Sequence, residues 1–485
     1  MKAVLLIDFG STYTKLTAVD IESETILGTA AAYTTVQTDI NDGLQEGLKL
    51  LEEKTGKIDF SETYACSSAA GGLRMVTSGL VPELTGDAAR LASLGAGAKV
   101  VGVYAFQLTE DDIDDIRASK PDIFLLVGGT DGGNTECILH NARMLATMEA
   151  DFPIVVAGNR TAARECQRIL QGREVYVCPN VMPKFGALNI EPTQKQIRKI
   201  FLNRIIHAKG LSKATQLLSD ILMPTPAAVL RAMELLSQGC KEETGIGDLV
   251  AVDVGGATTD IYSIADGMPE HMNTVYKGLP EPFAKRTVEG DIGMRYSIQG
   301  ILDAAGLDRV AKLSGLSQAS VTQLTEDLKK NTEKIPNGDA ELEALDKALA
   351  SLAVEEAVRR HAGTIEETYT MMGLTYVQAG KNLTRVKNIV VTGGSLIHTK
   401  QTEDIAAFAL YSPTEPASLR PKAADVWVDR TYILAAMGLL SSRYPQTALR
   451  MMKKELEHHG HSEQEDSRRR VSQTAARGPD PVAHR

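Results

Sequence analysis

Asp8-Phe9-Gly10-Ser11-Thr12-Tyr13-Thr14-Lys15 and Asp253-Val254-Gly255-Gly256-Ala257-Thr258-Thr259-Asp260 share one plan. In each, an acid closes an apolar run, glycine turns the chain, and hydroxyl residues lead into a second apolar run. The runs are Ala3–Ile7 with Thr14–Ile21, and Leu249–Val254 with Thr259–Ile264. Their length and β-branched content predict two strand–turn–strand hairpins. A glycine turn of this kind brings successive backbone N–H groups to one point, which cradles an anion such as a β- or γ-phosphate. Lys15, at the start of its second strand, adds a point charge. Asp8 and Asp253, at the strand ends, are placed to hold a metal through water, as magnesium prefers. Either hairpin alone could be structural. Two of the same form point to a chain with related halves and one nucleotide clamped between them.

The rest of the chain supplies the setting. Thr25–Tyr33 extends the first hairpin to a third strand, and a helix from about Asn41 to Thr55 leads to a strand at Thr63–Cys66. From Lys99 to Cys178, strand-like and helix-like segments alternate, which implies a mainly parallel inserted sheet. Residues 193–238 read as helical, with Pro224-Thr225-Pro226 starting a short helix, Ala227–Leu236. Residues 300–372 also read as helical. Their Leu342, Leu345, Leu349 and Leu352 form either a partner-binding stripe or an ordinary buried face. A strand at Asn388–Thr392 precedes Gly393-Gly394-Ser395, a turn that lets the backbone approach adenine or its ribose. Ile433–Leu440 carries Ala435, Ala436 and Gly438, and with Ala227, Ala228 and Ala232 it suits a close helix crossing. Beyond Met452 the composition turns polar, and residues 453–485 read as a disordered tail. His458, His459 and His461 could hold stray metal there, but a solvated tail is the simpler reading.

Five elements thus occur in the order of the actin, Hsp70 and sugar-kinase superfamily. Asp8–Lys15 resembles its first phosphate motif and Asp253–Asp260 its second. Pro224–Leu236 and Tyr432–Leu440 resemble its two connecting helices, and Val390–Ile397 its adenosine motif. The fold class this implies is α/β: a two-lobed actin-like ATPase fold, made of duplicated ribonuclease-H-like domains with inserted α/β and helical subdomains. The first lobe would span 1–238, with its β/α insertion at about 99–190, and be completed by a helix at 431–452. The second would span 247–430, with a helical insertion at about 300–372. The implied nucleotide contacts are Gly10, Ser11, Thr12, Tyr13, Lys15, Gly255, Gly256, Ala257, Thr258, Thr259, Gly393, Gly394 and Ser395. Asp8 and Asp253 are the candidate metal and catalytic acids. Glu289 joins them as a third candidate, unless it and Asp291 sit in a solvated loop.

Particular wording narrows the resemblance. The opening D-F-G-S-T-Y-T-K, Leu125–Asn134 (L-L-V-G-G-T-D-G-G-N), Asp253–Asp260 and Arg286–Arg295 (R-T-V-E-G-D-I-G-M-R) are similar to the glutamate mutase accessory (MutL/GlmL) family. The mismatch-repair ATPase of the same name uses a different motif, D-x-G-x-G, absent from these segments. The resemblance implies a magnesium-dependent ATPase, taking ATP and ADP, that reactivates an adenosylcobalamin-dependent mutase or aminomutase. Mutase subunits would be its partners, and a homodimer is compatible with it. A small-molecule kinase on the same fold is the alternative. A third reading, a filament-forming protein, has no demand for it in the sequence. Gly128–Asn134 either carries Asp131 toward the nucleotide or is a tight strand-to-helix turn.

Bulk properties exclude several classes. The 485 residues carry a net charge of −10, so no basic surface invites nucleic acid. No stretch reaches membrane-spanning length, and five dispersed cysteines fit a reduced, cytoplasmic setting. There is no G-x-x-x-x-G-K-[ST] loop and no cobalamin-binding D-x-H-x-x-G, so cobalamin is expected on the partner rather than on this chain.

Overall fold

The computed structural model describes residues 1–10, 13–34, 40–68, 73–208, 220–371, 373–397, 399 and 401–462. Strand β1 (Ala3–Phe9) is buried throughout, because its continuous apolar run is covered on both faces. Leu5, Ile7 and Phe9 face one core, and Val4 and Leu6 face another. β2 (Tyr13–Asp20) and β3 (Thr25–Tyr33) continue antiparallel, and α1 (Ile40–Thr55) covers one face with Leu44 and Leu51. β4 (Glu62–Ser67) then runs parallel to β1.

An inserted unit follows: β5 (Leu73–Gly79), α2 (Asp87–Gly95), β6 (Ala98–Ala105), α3 (Glu110–Ser119), β7 (Ile123–Leu126), α4 (Glu136–Ala146), β8 (Ile154–Val156), α5 (Ala163–Ile169) and β9 (Val175–Val177). Its strands are all parallel, in the order β6-β5-β7-β8-β9. The unit therefore starts at Leu73, not near Lys99. β5 escaped the sequence reading because Arg74, Thr77 and Ser78 break its apolar run, although Thr77 and Ser78 are buried. After α6 (Glu191–Ala208), β10 (Asp220–Pro224) returns to the first sheet beside β4. The reading of 193–238 as wholly helical is corrected by that strand. α7 (Thr225–Gln238) starts where Pro226 fixes φ in its first turn.

The second half repeats the scheme. β11 (Leu249–Val254) and β12 (Thr259–Ile264) form the second hairpin, β13 (Thr274–Lys277) joins a separate three-stranded sheet, and β14 (Ala284–Glu289) pairs with β12. Helices α8 (Ile298–Ala305), α9 (Leu307–Ser314), α10 (Gln318–Lys330) and α11 (Ala340–His361) follow. Leu342, Leu345, Leu349 and Leu352 of α11 are buried against this sheet, so their stripe is core. The helical stretch ends at His361 rather than 372. The β-branched and aromatic residues beyond it make β15 (Thr364–Thr370), which pairs with β16 (Gly373–Ala379). β17 (Asn388–Thr392), α12 (Gly394–Ile397), α13 (Thr402–Ala406), β18 (Ala424–Val428), α14 (Leu434–Leu440), α15 (Pro445–Glu455) and β19 (Glu457–Ser462) complete the chain.

The first sheet has the order β10-β4-β1-β2-β3 and the second β14-β12-β11-β17-β18-β19. Three antiparallel strands followed by two parallel ones occur in both, which is the duplicated ribonuclease-H-like plan of the actin-like fold. Helices α7 and α14 pack between the sheets in a shared core with Val4 and Leu6 of β1 and Leu249 and Ala251 of β11. A Cβ on Gly438 would lie 1.9 Å from the Ala228 carbonyl oxygen, so only glycine permits this crossing.

The tail expectation is corrected for its first ten residues. The expected helix at 431–452 is two helices divided before Pro445, and the second runs on to Glu455. Residues Glu457–Ser462 then form an antiparallel strand on β18. A strand at a sheet edge draws on backbone pairing and needs few apolar side chains, so composition hid it. Here the His458 ring also lies tilted against Trp427, with centres 4.3 Å apart, and Glu457 pairs with Arg430 at 2.9 Å. Positions 463–485 of the expected tail lie outside the described residues.

Candidate nucleotide site

The two hairpin turns close with the same bond. The Gly10 N–H donates to the Tyr13 carbonyl at 3.1 Å, and the Gly255 N–H donates to the Thr258 carbonyl at 3.0 Å. A Cβ on Gly10 would sit 2.6 Å from the Tyr13 oxygen, and one on Gly255 would sit 2.9 Å from the Thr258 oxygen. The turn therefore requires glycine at both places. Gly256 differs: a Cβ there meets no protein atom closer than 3.8 Å, so the position is open toward the cavity.

Both turns line one cavity of about 1810 Å³ between the two halves. Asp8, Gly10, Tyr13, Lys15, Asp253, Gly255, Gly256, Ala257, Thr258 and Gly394 all line it. Ser11 and Thr12 lie outside the described residues, as does the side chain of Ser395. Gly393 lies behind the wall, with φ at 102° and room for no side chain: a Cβ would fall 2.4 Å from the Val254 oxygen. Thr259 is also withdrawn, buried with its hydroxyl donating to the Ile292 carbonyl at 3.0 Å. Glu289 is not brought to the cavity. Its carboxylate pairs with Arg360 at 3.1 Å, and Arg360 also holds Asp291 at 2.8 Å.

Lys15 is the electrostatic centre. Its Nζ lies 3.1 Å from the centre of the Tyr432 ring, a cation–π contact. Loss of solvent lowers its pKa, while Asp8, Asp253 and Asp429 oppose that shift. Burial, and then the neighbouring Asp260, push Asp253 up to about 7. Asp8 is 8% exposed and accepts a hydrogen bond from Thr225 Oγ1 at 2.5 Å, with Cys66 Sγ at 3.4 Å. Thr225 belongs to the first turn of α7, so the interdomain helix fixes the first acid.

Asp429 was missed in the sequence. It is fully buried and caps α14, accepting from Ile433 N at 2.9 Å and Leu434 N at 3.3 Å, and from Thr392 Oγ1 at 3.2 Å. Burial raises its pKa, against the pull of those donors. A usable signal existed: Asp429 follows the run Ala424–Val428 just as Asp8 and Asp253 follow theirs. What it lacks is the glycine turn.

Two motifs singled out in the sequence now have positions. Gly128–Asn134 does not line the cavity. It is a strand-to-helix turn at the carboxyl end of the inserted sheet, where Asp131 Oδ1 accepts from Arg160 N and Asn180 Nδ2, both at 3.0 Å. Arg286–Arg295 instead backs the second turn: Met294 N donates to Gly255 O at 3.0 Å and Arg295 N to Gly256 O at 2.8 Å. Arg295 also forks onto Asp346 of α11 at 2.7 and 3.0 Å. Beyond the turns, the cavity runs on between α11, with Lys347 and Ser351, and an apolar wall of Ile397, Ile405 and Phe408. A flat, apolar-faced base suits that end.

Among the described residues no group of three or more His, Cys, Asp or Glu forms a metal cage. Asp8, already held by Thr225, and Asp253 instead place carboxylate oxygens at the cavity beside the two glycine turns. That donor set fits magnesium, which keeps most of its waters and takes phosphate oxygens as ligands. No described helix is long and apolar enough to cross a membrane.

Comparison with known proteins agrees with the motif wording. Solved structures similar to this chain include the ligand-bound xylulose kinase of Lactobacillus acidophilus, at 12% identity over 98% of this chain and 96% of that one, with a TM-score of 0.36. A diol dehydratase-reactivating factor in nucleotide-free form matches at 12% identity over 92% of this chain and 100% of its own, with a TM-score of 0.33. Superposition at such scores adds nothing to the sheet order. The sequence matches are decisive by contrast. Protein MutL of Clostridium tetanomorphum is 47% identical over 460 residues, covering 94% of this chain and 99% of that protein. The family model described as MutL protein matches residues 4–456, and so the chain belongs to the MutL family, the glutamate mutase accessory family that its motifs resemble.

Proposed function

We propose that this protein is an ATP-dependent reactivating factor for an adenosylcobalamin-dependent mutase or aminomutase, and that it promotes release of damaged cobalamin. The observation that carries the ATPase part is the pair of like-built turns lining one cavity, each beside an acid at the end of a buried strand. Family membership supports a mutase as the partner. Bound magnesium would neutralise charge that develops on the transferring phosphate.

The chain's own groups divide the remaining work. The N–H groups of the Gly10 and Gly255 turns surround the phosphates from two sides. Lys15 brings a cation whose position the Tyr432 ring restrains. Asp8, held by Thr225, orients one water, and Asp253 orients another or the attacking water itself. Because the turns belong to different halves, ATP and ADP would favour different relative positions of those halves. A partner that holds the mutase open in one of these states would let a dead cofactor leave.

The test uses a cobalamin mutase inactivated by turnover. Activity should return when this protein, ATP, Mg²⁺ and fresh adenosylcobalamin are added together, with damaged cobalamin appearing in the filtrate. Recovery at the same rate without ATP would sink the motor reading. Phosphorylation of a small metabolite, with no mutase responding, would hand the assignment to the kinase alternative.

A further inference from the structure

Arg286 opens the second of the two motifs and, with Asp260, borders the cavity beside the second turn. It is 4% exposed, and its guanidinium joins two parts of the molecule. On one side Nε and Nη2 donate to Asp260 Oδ1 at 2.9 and 2.6 Å. Asp260 lies in β12, in register with Asp253 across the hairpin. On the other side Nη1 donates to the carbonyls of Leu94 at 3.1 Å and Ala98 at 2.9 Å. Leu94 is in the last turn of α2 and Ala98 opens β6, so the contact grips the junction of the first helix and second strand of the inserted unit. Carbonyls at a helix C-terminus lack helical partners and favour a cation. The planar fork of arginine can serve a carboxylate and two carbonyls at once, which a lysine ammonium cannot match.

The same segment touches the nucleotide turn. A few residues on, Met294, Arg295 and Tyr296 donate backbone N–H groups to the carbonyls of Gly255 and Gly256 at 2.8–3.0 Å. A shift of the turn on phosphate contact is therefore felt along 286–296 and through Asp260 together. Both routes meet at Arg286. On the far side, Gly97, with φ at 95°, packs so closely on Pro224 at the start of α7 that a Cβ would lie 2.7 Å from the proline ring. The α2–β6 junction is thus held between Arg286 and the interdomain helix, with little freedom to ignore a movement of either.

We propose that Arg286 is a positioning residue that passes the nucleotide state of the second phosphate turn to α2 and β6, which makes the inserted α/β unit the responsive, output end of the molecule. The inference rests on the nucleotide reading above. It is tested by hydrogen–deuterium exchange of the full chain with and without ADP·Mg or a non-hydrolysable ATP analogue·Mg. In the wild type, nucleotide should alter exchange both in 249–264 and in 87–105. In Arg286→Lys, which keeps the charge but loses the fork, the change in 249–264 should persist and the change in 87–105 should be lost. Arg286→Met, similar in length without charge, should behave the same way. A merely structural strut would lower the melting temperature of both variants and leave the response of 87–105 in place, which would overturn the proposal. A wild-type response confined to 249–264 would overturn it without any variant having to fold. No wild-type response even in 249–264 would overturn the phosphate-turn reading itself, and this relay with it.

Discussion

Asp8, Asp253 and Asp429 place three carboxylates around one lysine, and their environments separate their roles. Asp429 is spent on capping α14, and Asp8 is fixed by Thr225. Burial raises Asp253 to about 7 from an ordinary 3.8. A carboxyl whose folded pKa lies above its unfolded value stabilises the fold fully below the unfolded value, and that stability is lost as pH rises through the folded one. The nucleotide-free protein should therefore lose stability between about pH 4 and pH 7 on this account. Asp253→Asn, which cannot ionise, should match the wild type near pH 4. At pH 8 it should melt higher by about 1–3 °C. Equal melting at pH 8 would mean that Asp253 keeps its charge without penalty. Activity should move the other way. Asp8→Ala and Asp253→Ala should each lose ATP hydrolysis by ~10²-fold or more while remaining folded, since on the proposed mechanism each removes a group that positions water at the reacting phosphate. Normal turnover in both would remove the acids from the site.

The hairpins were legible because three local signals coincided: an apolar run, an acid and a glycine turn. Their sequence order also exposed the duplication that the sheets display. What escaped were elements whose local signal is weak or shared. β5 hides behind Arg74, Thr77 and Ser78; β10 (D-I-L-M-P) looks like part of the helices on either side. Asp429 has an acid after a strand but no glycine, and Glu289 has the glycines nearby but turns its carboxylate to Arg360. Pairing across long separations decides such cases, and a local pattern does not encode it. β19 is the plainest instance, because its polar residues H-H-G-H follow the composition of a tail yet lie along β18. This gives a test at the level of the element. A chain ending at Leu456 should melt about 2–4 °C below one ending at Ser462, because it leaves the β18 edge unpaired. Identical melting would show that β19 contributes nothing, and would restore the tail reading for 457–462.

At the scale of the molecule, the second sheet has a core of its own, the first shares one with the inserted sheet, and the two halves meet in another built on α7 and α14. That shared core is packed on small residues: Ala228 and Ala232 from α7, Ala435 and Ala436 from α14, and Gly438 at the crossing. Close-packed small residues let helices slide or rotate by small amounts without emptying large pockets, which suits shear between two bodies. The cavity is far larger than a pocket filled by a single small ligand, commonly about 300–1,000 Å³, so the halves have room to close. Phosphate can drive that closure only by touching both turns at once, and it binds the closed state better for that reason alone. Adding ATP·Mg should therefore shrink the radius of gyration seen by small-angle X-ray scattering. Gly256→Val isolates the cause. Valine meets no protein atom closer than 3.8 Å at its Cβ, so the variant should fold with the dimensions of the nucleotide-free wild type. Its branched side chain points into the space that phosphate needs, so it should neither compact with ATP nor reactivate a mutase. Compaction of Gly256→Val as in the wild type would show that closure is not led by the second turn. Hydrolysis by the wild type at constant dimensions would separate the chemistry from any movement of the halves.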